Sequence, residues 1–172
     1  VDGQTKMTDA ENYAANVNSV VSINCSATTN YFGQTVENAS SGSGFILTED
    51  GYIVTNYHVI EDAAKDSSVS IEVSFADGKQ YTAKLVGGEQ DNDVAVLKIE
   101  ASGLQTVTLG DSDQLKVGQA VMAIGNPLGE LTYSLTDGLI SALDRLITTG
   151  SGNDSTTMNM LQTNCAINPG HC

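Results

Sequence analysis

Three segments of this 172-residue chain carry side chains that could act together on a carbonyl group. His58 follows the apolar run that ends at Thr55, Asp93 precedes the apolar run Val94–Leu97, and a polar segment, Leu161–Cys172, ends the chain. Nucleophilic hydrolysis needs a hydroxyl or thiol, a base that takes its proton, and a carboxylate that fixes the tautomer of that base. The order base, carboxylate, nucleophile along a chain is one of those in which this chemistry occurs. The pattern therefore predicts a hydrolytic site that uses His58 and Asp93.

Each of these residues also has an ordinary structural explanation when it is taken alone. A lone His in a loop is usually a surface residue, an Asp before a strand is usually a turn former, and Asn168–Gly170 would usually be a turn. The functional interpretation depends on their joint order and context.

The segments between these residues predict short antiparallel strands joined by turns. Asp50-Gly51 and Asp77-Gly78 each separate two apolar runs, which is a strong hairpin signal. About ten strands without alternating helices indicate an all-β sandwich or barrel. We expect the six strands before about residue 100 to close one barrel, with His58 at a strand end. The strands after residue 118 begin a second unit that does not finish.

Two stretches lie outside this strand pattern. Thr8–Glu11 has the form of a capping box and predicts a short helix to about Asn16, with a frayed terminal arm as the alternative. Strong helical periodicity is confined to this N-terminal region. Residues 26–43 are rich in Thr, Asn, Ser and Gly and predict a polar loop.

Composition excludes several classes of protein. The net charge is −14 with seven Lys and Arg, so a basic face for nucleic acid or for an anionic membrane is not expected. The apolar runs are too short to span a bilayer, and any anchor would lie upstream of Val1, which we interpret as a processed start. The acidity favours an extracytoplasmic setting. Three cysteines cannot all pair with one another, and their spacing matches no common zinc motif.

Several motifs resemble the HtrA/Deg family of trypsin-like serine proteases over about residues 17–172. The stretch from Ser41 through Asp50 to Val59 is similar to the histidine region of that family, and Asp91–Ile99 is similar to its aspartate region. The remaining matches are Leu109–Ser112, Val117–Gln119, Ala123–Gly129, Thr136–Ala142 and Leu161–Thr163.

The resemblance implies a chymotrypsin-like double β-barrel with a short N-terminal helix, in which the first barrel is complete and the second incomplete. The expected divisions are an N-terminal arm over 1–16, the first barrel over 17–105 and the partial second barrel over 106–172. His58 would be the general base, Asp93 would orient it, and the nucleophile would fall at position 172. The backbone N–H groups of Gly170 and Cys172 would form the oxyanion hole.

The activity implied by the resemblance is endopeptidase cleavage of unfolded or exposed polypeptide outside the cytoplasm. No cofactor or metal is expected. The family resemblance also implies a homo-oligomer, specifically a trimer. A non-catalytic protein that keeps the protease fold for binding or assembly is the alternative function.

The last residues depart from the family pattern. Cys172 stands where the family has Ser, and Asn164-Cys165 replaces what is typically Asp-Ala. We expect a truncated, inactive chain. The alternatives are a fragment completed by a partner chain or strand swap, and a working cysteine variant. Zinc ligation by Cys165, His171 and Cys172 and a Cys165–Cys172 disulfide also stay open.

Overall fold

Two β-sheets and two short α-helices make up the part of the chain that the computed structural model describes, which comprises residues 7–31, 34–126, 133–149 and 155–167. Six strands close a barrel in the order β1-β2-β3-β6-β5-β4, and three more form a second sheet in the order β7-β8-β9. The elements are α1 (Asp9–Asn16), β1 (Val20–Tyr31), β2 (Gln34–Ile46), β3 (Tyr52–Thr55), α2 (Tyr57–Lys65), β4 (Ser70–Phe75), β5 (Gln80–Glu89), β6 (Val94–Lys98), β7 (Ala120–Gly125), β8 (Ser134–Thr149) and β9 (Thr156–Thr163). The predicted all-β fold, with a closed first barrel and an incomplete second one, is confirmed.

Alternating side chains of the strands fill the interior of the barrel. On β1, Val21, Ile23 and Cys25 are buried, because every second side chain of a strand points to the same face. Each fully buried aliphatic side chain contributes about 1.5–3 kcal/mol relative to an exposed one. The other strands and α2 complete the core with Ile46, Ile53, Val59, Ile60, Ile71, Val73, Phe75, Ala83, Ala95 and Leu97.

Both predicted Asp-Gly hairpins are present. Gly51 has φ of +104° in the turn between β2 and β3, and Gly78 has φ of +86° in the turn between β4 and β5. Glycine is favoured at both positions because a Cβ atom makes positive φ costly. The strands on either side of each turn pair in antiparallel fashion, as expected.

The expected polar loop over residues 26–43 is wrong. These residues belong mainly to β1 and β2, which pair continuously from Val20↔Phe45 to Tyr31↔Gln34. Thr, Asn and Ser are common in turns, but backbone pairing between two strands requires no apolar side chains. The polar composition therefore belongs to a long hairpin.

The expectation that helical structure is confined to the N-terminal region is also wrong, because a second helix, α2, begins shortly after β3. His58 is the second residue of this helix and does not lie at a strand end. Val59 and Ile60 are buried in the barrel core, and the apolar pair resembles the end of a strand when the sequence is considered alone. Lys65 also forms an ion pair with Glu61, one helical turn earlier, at 2.6 Å.

The predicted capping box of α1 is confirmed. The Thr8 side chain accepts from Glu11 N at 3.2 Å, and Thr8 N donates to the Glu11 carboxylate at 2.8 Å. The helix contacts the second sheet, since the Tyr13 hydroxyl donates to the carbonyl of Tyr133 at 3.2 Å. It is thus not the frayed arm considered as an alternative.

Residues that flank β7 and β8 make polar contacts with the barrel. The Tyr133 hydroxyl donates to the carbonyl of Ser74 on β4 at 2.8 Å, and Asn126 N donates to Ser43 Oγ on β2 at 2.9 Å. Burial raises the pKa of Tyr133 to about 12. None of the helices formed by the described residues has the length and apolar character needed to cross a membrane.

Candidate active site

Strand register brings the predicted base and the predicted carboxylate to one edge of the barrel. β3 and β6 are antiparallel, with Thr55 opposite Ala95. Residues that follow β3 therefore lie beside residues that precede β6. His58 in the first turn of α2 and Asp93 in the turn before β6 meet at this point, although they are 35 residues apart in the chain.

The Asp93 carboxylate makes two hydrogen bonds to the same histidine. Asp93 Oδ2 lies 2.7 Å from His58 Nδ1, and Asp93 Oδ1 accepts from the backbone N–H of His58 at 2.8 Å. An ionised carboxylate only accepts, so the Nδ1 atom of a neutral His58 carries the proton. The other ring nitrogen, Nε2, is then an acceptor and is free to act as a base.

The two side chains differ in their access to solvent. The His58 side chain is 53% exposed and the Asp93 side chain 28% exposed. The histidine is therefore open to an incoming group, while the carboxylate is partly shielded behind it. Partial shielding strengthens the interaction between the two groups, since water screens it less.

The backbone at Asp93 has an unusual conformation. Its φ is +51°, in the left-handed region that residues with a Cβ atom seldom adopt. Its N–H donates to the carbonyl of Gln90 at 3.1 Å, and its carbonyl accepts from Asn56 Nδ2 at 3.0 Å. Such conformations persist where surrounding contacts hold them, and they cluster at functional sites.

Asn56 and Gly88 also contribute to the site, although neither is among the residues predicted from the sequence. Asn56 immediately precedes α2, and an Asn before an apolar helical turn is a recognisable N-cap signal. Gly88 lies under the ring of Tyr57, where a Cβ atom would come within 2.7 Å of Tyr57 Cδ2. No local signal identifies that contact, because it depends on how β5 passes α2.

An apolar cleft of about 600 Å³ adjoins the His58–Asp93 pair between the barrel and the second sheet. Asn56 and Asp93 contribute to its polar end. The other walls come from both sheets and from the connection between them, through Val20, Phe45, Val54, Val94, Val107, Leu109, Met122 and Ile124. A mostly apolar cleft with a few polar groups is a common form of binding site.

The predicted nucleophile and oxyanion residues, Cys172 and Gly170, lie outside the described residues, as does His171. Cys165 is a buried free thiol, 3.1 Å from Thr163 Oγ1. Cys25 is also free and lies in the barrel core, where burial raises the pKa of its thiol. Neither Cys25 nor Cys165 thus has the solvent exposure of a reactive cysteine.

Among the described residues, no group of three or more His, Cys, Asp and Glu side chains is arranged to hold a metal ion. The zinc alternative also requires His171 and Cys172, on which the structure gives no information.

The sequence matches the trypsin-like peptidase domain over residues 42–172. A probable periplasmic serine endoprotease DegP-like from Halomonas elongata is 49% identical over 139 residues, which cover 81% of this chain and 27% of that protein. A protein of the same name from Chlamydia trachomatis is 47% identical over 133 residues, covering 77% of this chain and 25% of the relative. The chain spans about a quarter of the length of these curated relatives.

Solved structures agree with these matches. The HtrA-type protease AlgW with a decapeptide superposes with a TM-score of 0.74 at 30% identity, covering 96% of this chain and 54% of that one. A variant of AlgW, also with a decapeptide, gives a TM-score of 0.77. By fold and by sequence, this chain belongs to the HtrA/Deg family of trypsin-like serine proteases.

Proposed function

We propose that His58 and Asp93 are the base and the orienting carboxylate of an endopeptidase site that cleaves exposed segments of polypeptide. The observation that carries this proposal is the double hydrogen bond from the Asp93 carboxylate to the ring and backbone of His58. That contact fixes both the tautomer and the direction of the imidazole, which is what a general base requires.

For the working cysteine variant, which is the alternative to the inactive chain expected from the last residues, the proposed reaction proceeds through a covalent intermediate on Cys172. His58 Nε2 takes the proton from Cys172 Sγ, and the thiolate attacks the scissile carbonyl carbon. The backbone N–H groups of Gly170 and Cys172 stabilise the oxyanion. The C–N bond then breaks as His58 returns the proton to the leaving amine. In the second half, His58 takes a proton from the water that attacks the thioester, the C–S bond breaks to release the acid, and the proton returns to Cys172 Sγ.

The relatives support the substrate class and the location. The curated relatives are named periplasmic serine endoproteases, and the AlgW structures hold a decapeptide. We extend both features to this chain as polypeptide cleavage outside the cytoplasm. The same family membership supports a homotrimer and the division of the chain into an arm, a first barrel and a partial second barrel.

Cleavage of denatured casein by the chain and its variants tests this function. Because a positioned base contributes about 10²–10⁴-fold, His58→Ala should lower kcat/KM by at least about 100-fold. Asp93→Asn should have a similar or larger effect, since it removes the tautomer control. Asp66→Asn, a matched change in an exposed carboxylate just after α2, should leave cleavage unchanged.

Alkylation by iodoacetamide, followed by mass spectrometry, tests the nucleophile separately. Cys172 should react faster than the buried Cys25 and Cys165, and His58→Ala should slow it at least about tenfold because the base is lost. Equal rates for Cys172 in the parent and in His58→Ala, together with no casein cleavage, would rule out the enzyme. That result would favour a non-catalytic protein with the protease fold.

A further inference from the structure

Asn56 occupies the N-cap position of α2 but does not cap the helix with its side chain. Asn is among the residues preferred at this position, because its side-chain oxygen can accept from the backbone N–H of the second or third helical residue. No such bond forms here, although the Asn56 backbone has the extended conformation typical of an N-cap. The side chain is directed elsewhere.

The missing cap is supplied by a residue from another loop. Asp93 Oδ1 accepts from the backbone N–H of His58, the second residue of α2. A carboxylate at this end of a helix is also stabilised by the helix dipole. Asp93 therefore performs the capping that Asn56 would perform in an isolated helix.

Asn56 in turn holds the loop that presents Asp93. Its Nδ2 donates to the Asp93 carbonyl at 3.0 Å. Asp93 has φ of +51°, so its backbone is in a conformation that needs external support. Thr55, the preceding residue, is buried and fixed by a 2.8 Å hydrogen bond from its hydroxyl to the carbonyl of Ser43. Asn56 thus acts from a rigid strand end.

We propose that Asn56 is a positioning residue, whose amide holds the Asp93 backbone so that its carboxylate reaches both the ring and the N–H of His58. The residue acts through Asp93 and does not contact the imidazole. Loss of the amide would let the Asp93 turn relax toward negative φ. The carboxylate would then move away from one or both of its His58 partners.

This inference rests on the proposed function, but its experiment reads the geometry of the pair without measuring cleavage. Hydrogen exchange at the His58 backbone N–H and the ¹⁵N signals of its ring are followed by NMR. In Asn56→Ala, amide exchange at His58 should be at least about tenfold faster because its acceptor moves. The ring should also change from the Nδ1–H tautomer to a mixture of tautomers. The chain has two histidines, so His171→Gln assigns the ring signals.

Asn56→Ser separates positioning from capping. Serine caps a helix well, but its side chain is too short to reach the Asp93 carbonyl. We expect Asn56→Ser to behave like Asn56→Ala at His58, and it serves as the second variant if the alanine change impairs folding. Full restoration of parent-like exchange and tautomer by serine would show that capping alone matters, and would overturn the proposal.

Asn92→Ala is the matched control. It removes an amide from the same loop, where Asn92 Nδ2 bonds Glu89 at 2.9 Å, and should leave both His58 signals unchanged. Equal effects of Asn92→Ala and Asn56→Ala would contradict the proposal. Uniformly faster exchange at barrel amides such as Val73 and Leu97 would also contradict it, because the role would then be general stability. The parent chain could fail to cleave casein while Asn56→Ala still changes the exchange and the tautomer of His58. That result would support the positioning role of Asn56 and reject only the proposed enzyme.

Discussion

Tyr57 is the residue before the proposed base, His58. Its ring lies against the backbone of Gly88. A Cβ atom at Gly88 would also lie 3.3 Å from the carbonyl oxygen of Val94. Such an atom would therefore crowd both the Tyr57 ring and the backbone of β6. The absence of a side chain at Gly88 therefore lets the first turn of α2 pack closely on β5. At this scale, the position of His58 depends on a residue that carries no functional group.

Gly88→Ala should displace the Tyr57 ring and lower the free energy of unfolding by about 1–3 kcal/mol, the usual cost of overpacking. The adjacent Gly87 is a matched control, since a Cβ atom there would meet nothing within 4 Å. Gly87→Ala should change stability by less than about 1 kcal/mol. Urea unfolding of both variants checks this, and equal losses would mean that the Tyr57 contact is not the cause.

At the scale of elements, the turn between β2 and β3 is held by the last residue of β6 and the residue after it. Ile99 N donates to the carbonyl of Gly51 at 3.0 Å, and Lys98 Nζ donates to the carbonyl of Asp50 at 2.7 Å. These bonds link the start of β3 to the end of β6, at the opposite end of the strand pair from His58 and Asp93. The register of the two strands is thus fixed at both ends.

Substitution of the two hairpin glycines should have unequal effects. Gly51→Ala combines the strain of positive φ with overlap of its Cβ atom with the Ile99 carbonyl, and should cost about 2–4 kcal/mol. Gly78→Ala meets nothing within 4 Å and has the conformational strain alone, about 1 kcal/mol. Thermal unfolding measures the loss of stability in both variants. An equal loss in Gly78→Ala and Gly51→Ala would show that overlap with the Ile99 carbonyl does not contribute.

At the scale of the whole molecule, Tyr133 joins the N-terminal helix, the barrel and the second sheet. Its hydroxyl donates to Ser74 of the barrel, and its carbonyl accepts from Tyr13 of α1. The second sheet itself exposes several apolar side chains among its described residues. They are Leu139, Leu146, Ile147, Met160 and Leu161. Tyr133 immediately precedes β8. Its hydrogen bond to Ser74 therefore helps to hold this sheet on the barrel.

Tyr133→Phe should lower stability at neutral pH by about 1 kcal/mol, the value of one hydrogen bond. It should also weaken the alkaline loss of stability. The unfolded phenol ionises near pH 10 and the folded one near 12, so the folded state binds more protons in between and stability falls as pH rises. Phenylalanine removes that contribution, and the slope between about pH 10 and 12 becomes shallower.

Urea unfolding across this pH range measures the slope. Tyr81→Phe, which removes a phenol from β5, is the matched control. Identical slopes in the parent, Tyr81→Phe and Tyr133→Phe would show that the phenol of Tyr133 does not contribute to alkaline unfolding.

Local sequence signals correctly predicted those elements that depend on residues close together in the chain. The Asp-Gly turns at residues 50–51 and 77–78 and the capping box at Thr8 all form as expected, because each depends on residues within four positions of one another. The helix at Tyr57–Lys65 is not evident from the sequence because its nine residues are too few for the apolar period to stand out. The strands within residues 26–43 are not evident from the sequence because the segment is mainly polar, whereas the backbone pairing of β1 with β2 requires no apolar alternation.

The sequence by itself determined the all-β character, the family and the candidate residues His58 and Asp93, since these follow from turn chemistry, alternation and motif order. Only the tertiary structure decided that Asp93 contacts both the ring and the backbone of His58, and that Asn56 holds Asp93. The reason is that His58 and Asp93 are 35 residues apart in the chain. The β3–β6 register and the left-handed conformation of Asp93 bring them into contact. Long-range register and a single unusual φ result from the packing of the entire barrel, which no local pattern encodes.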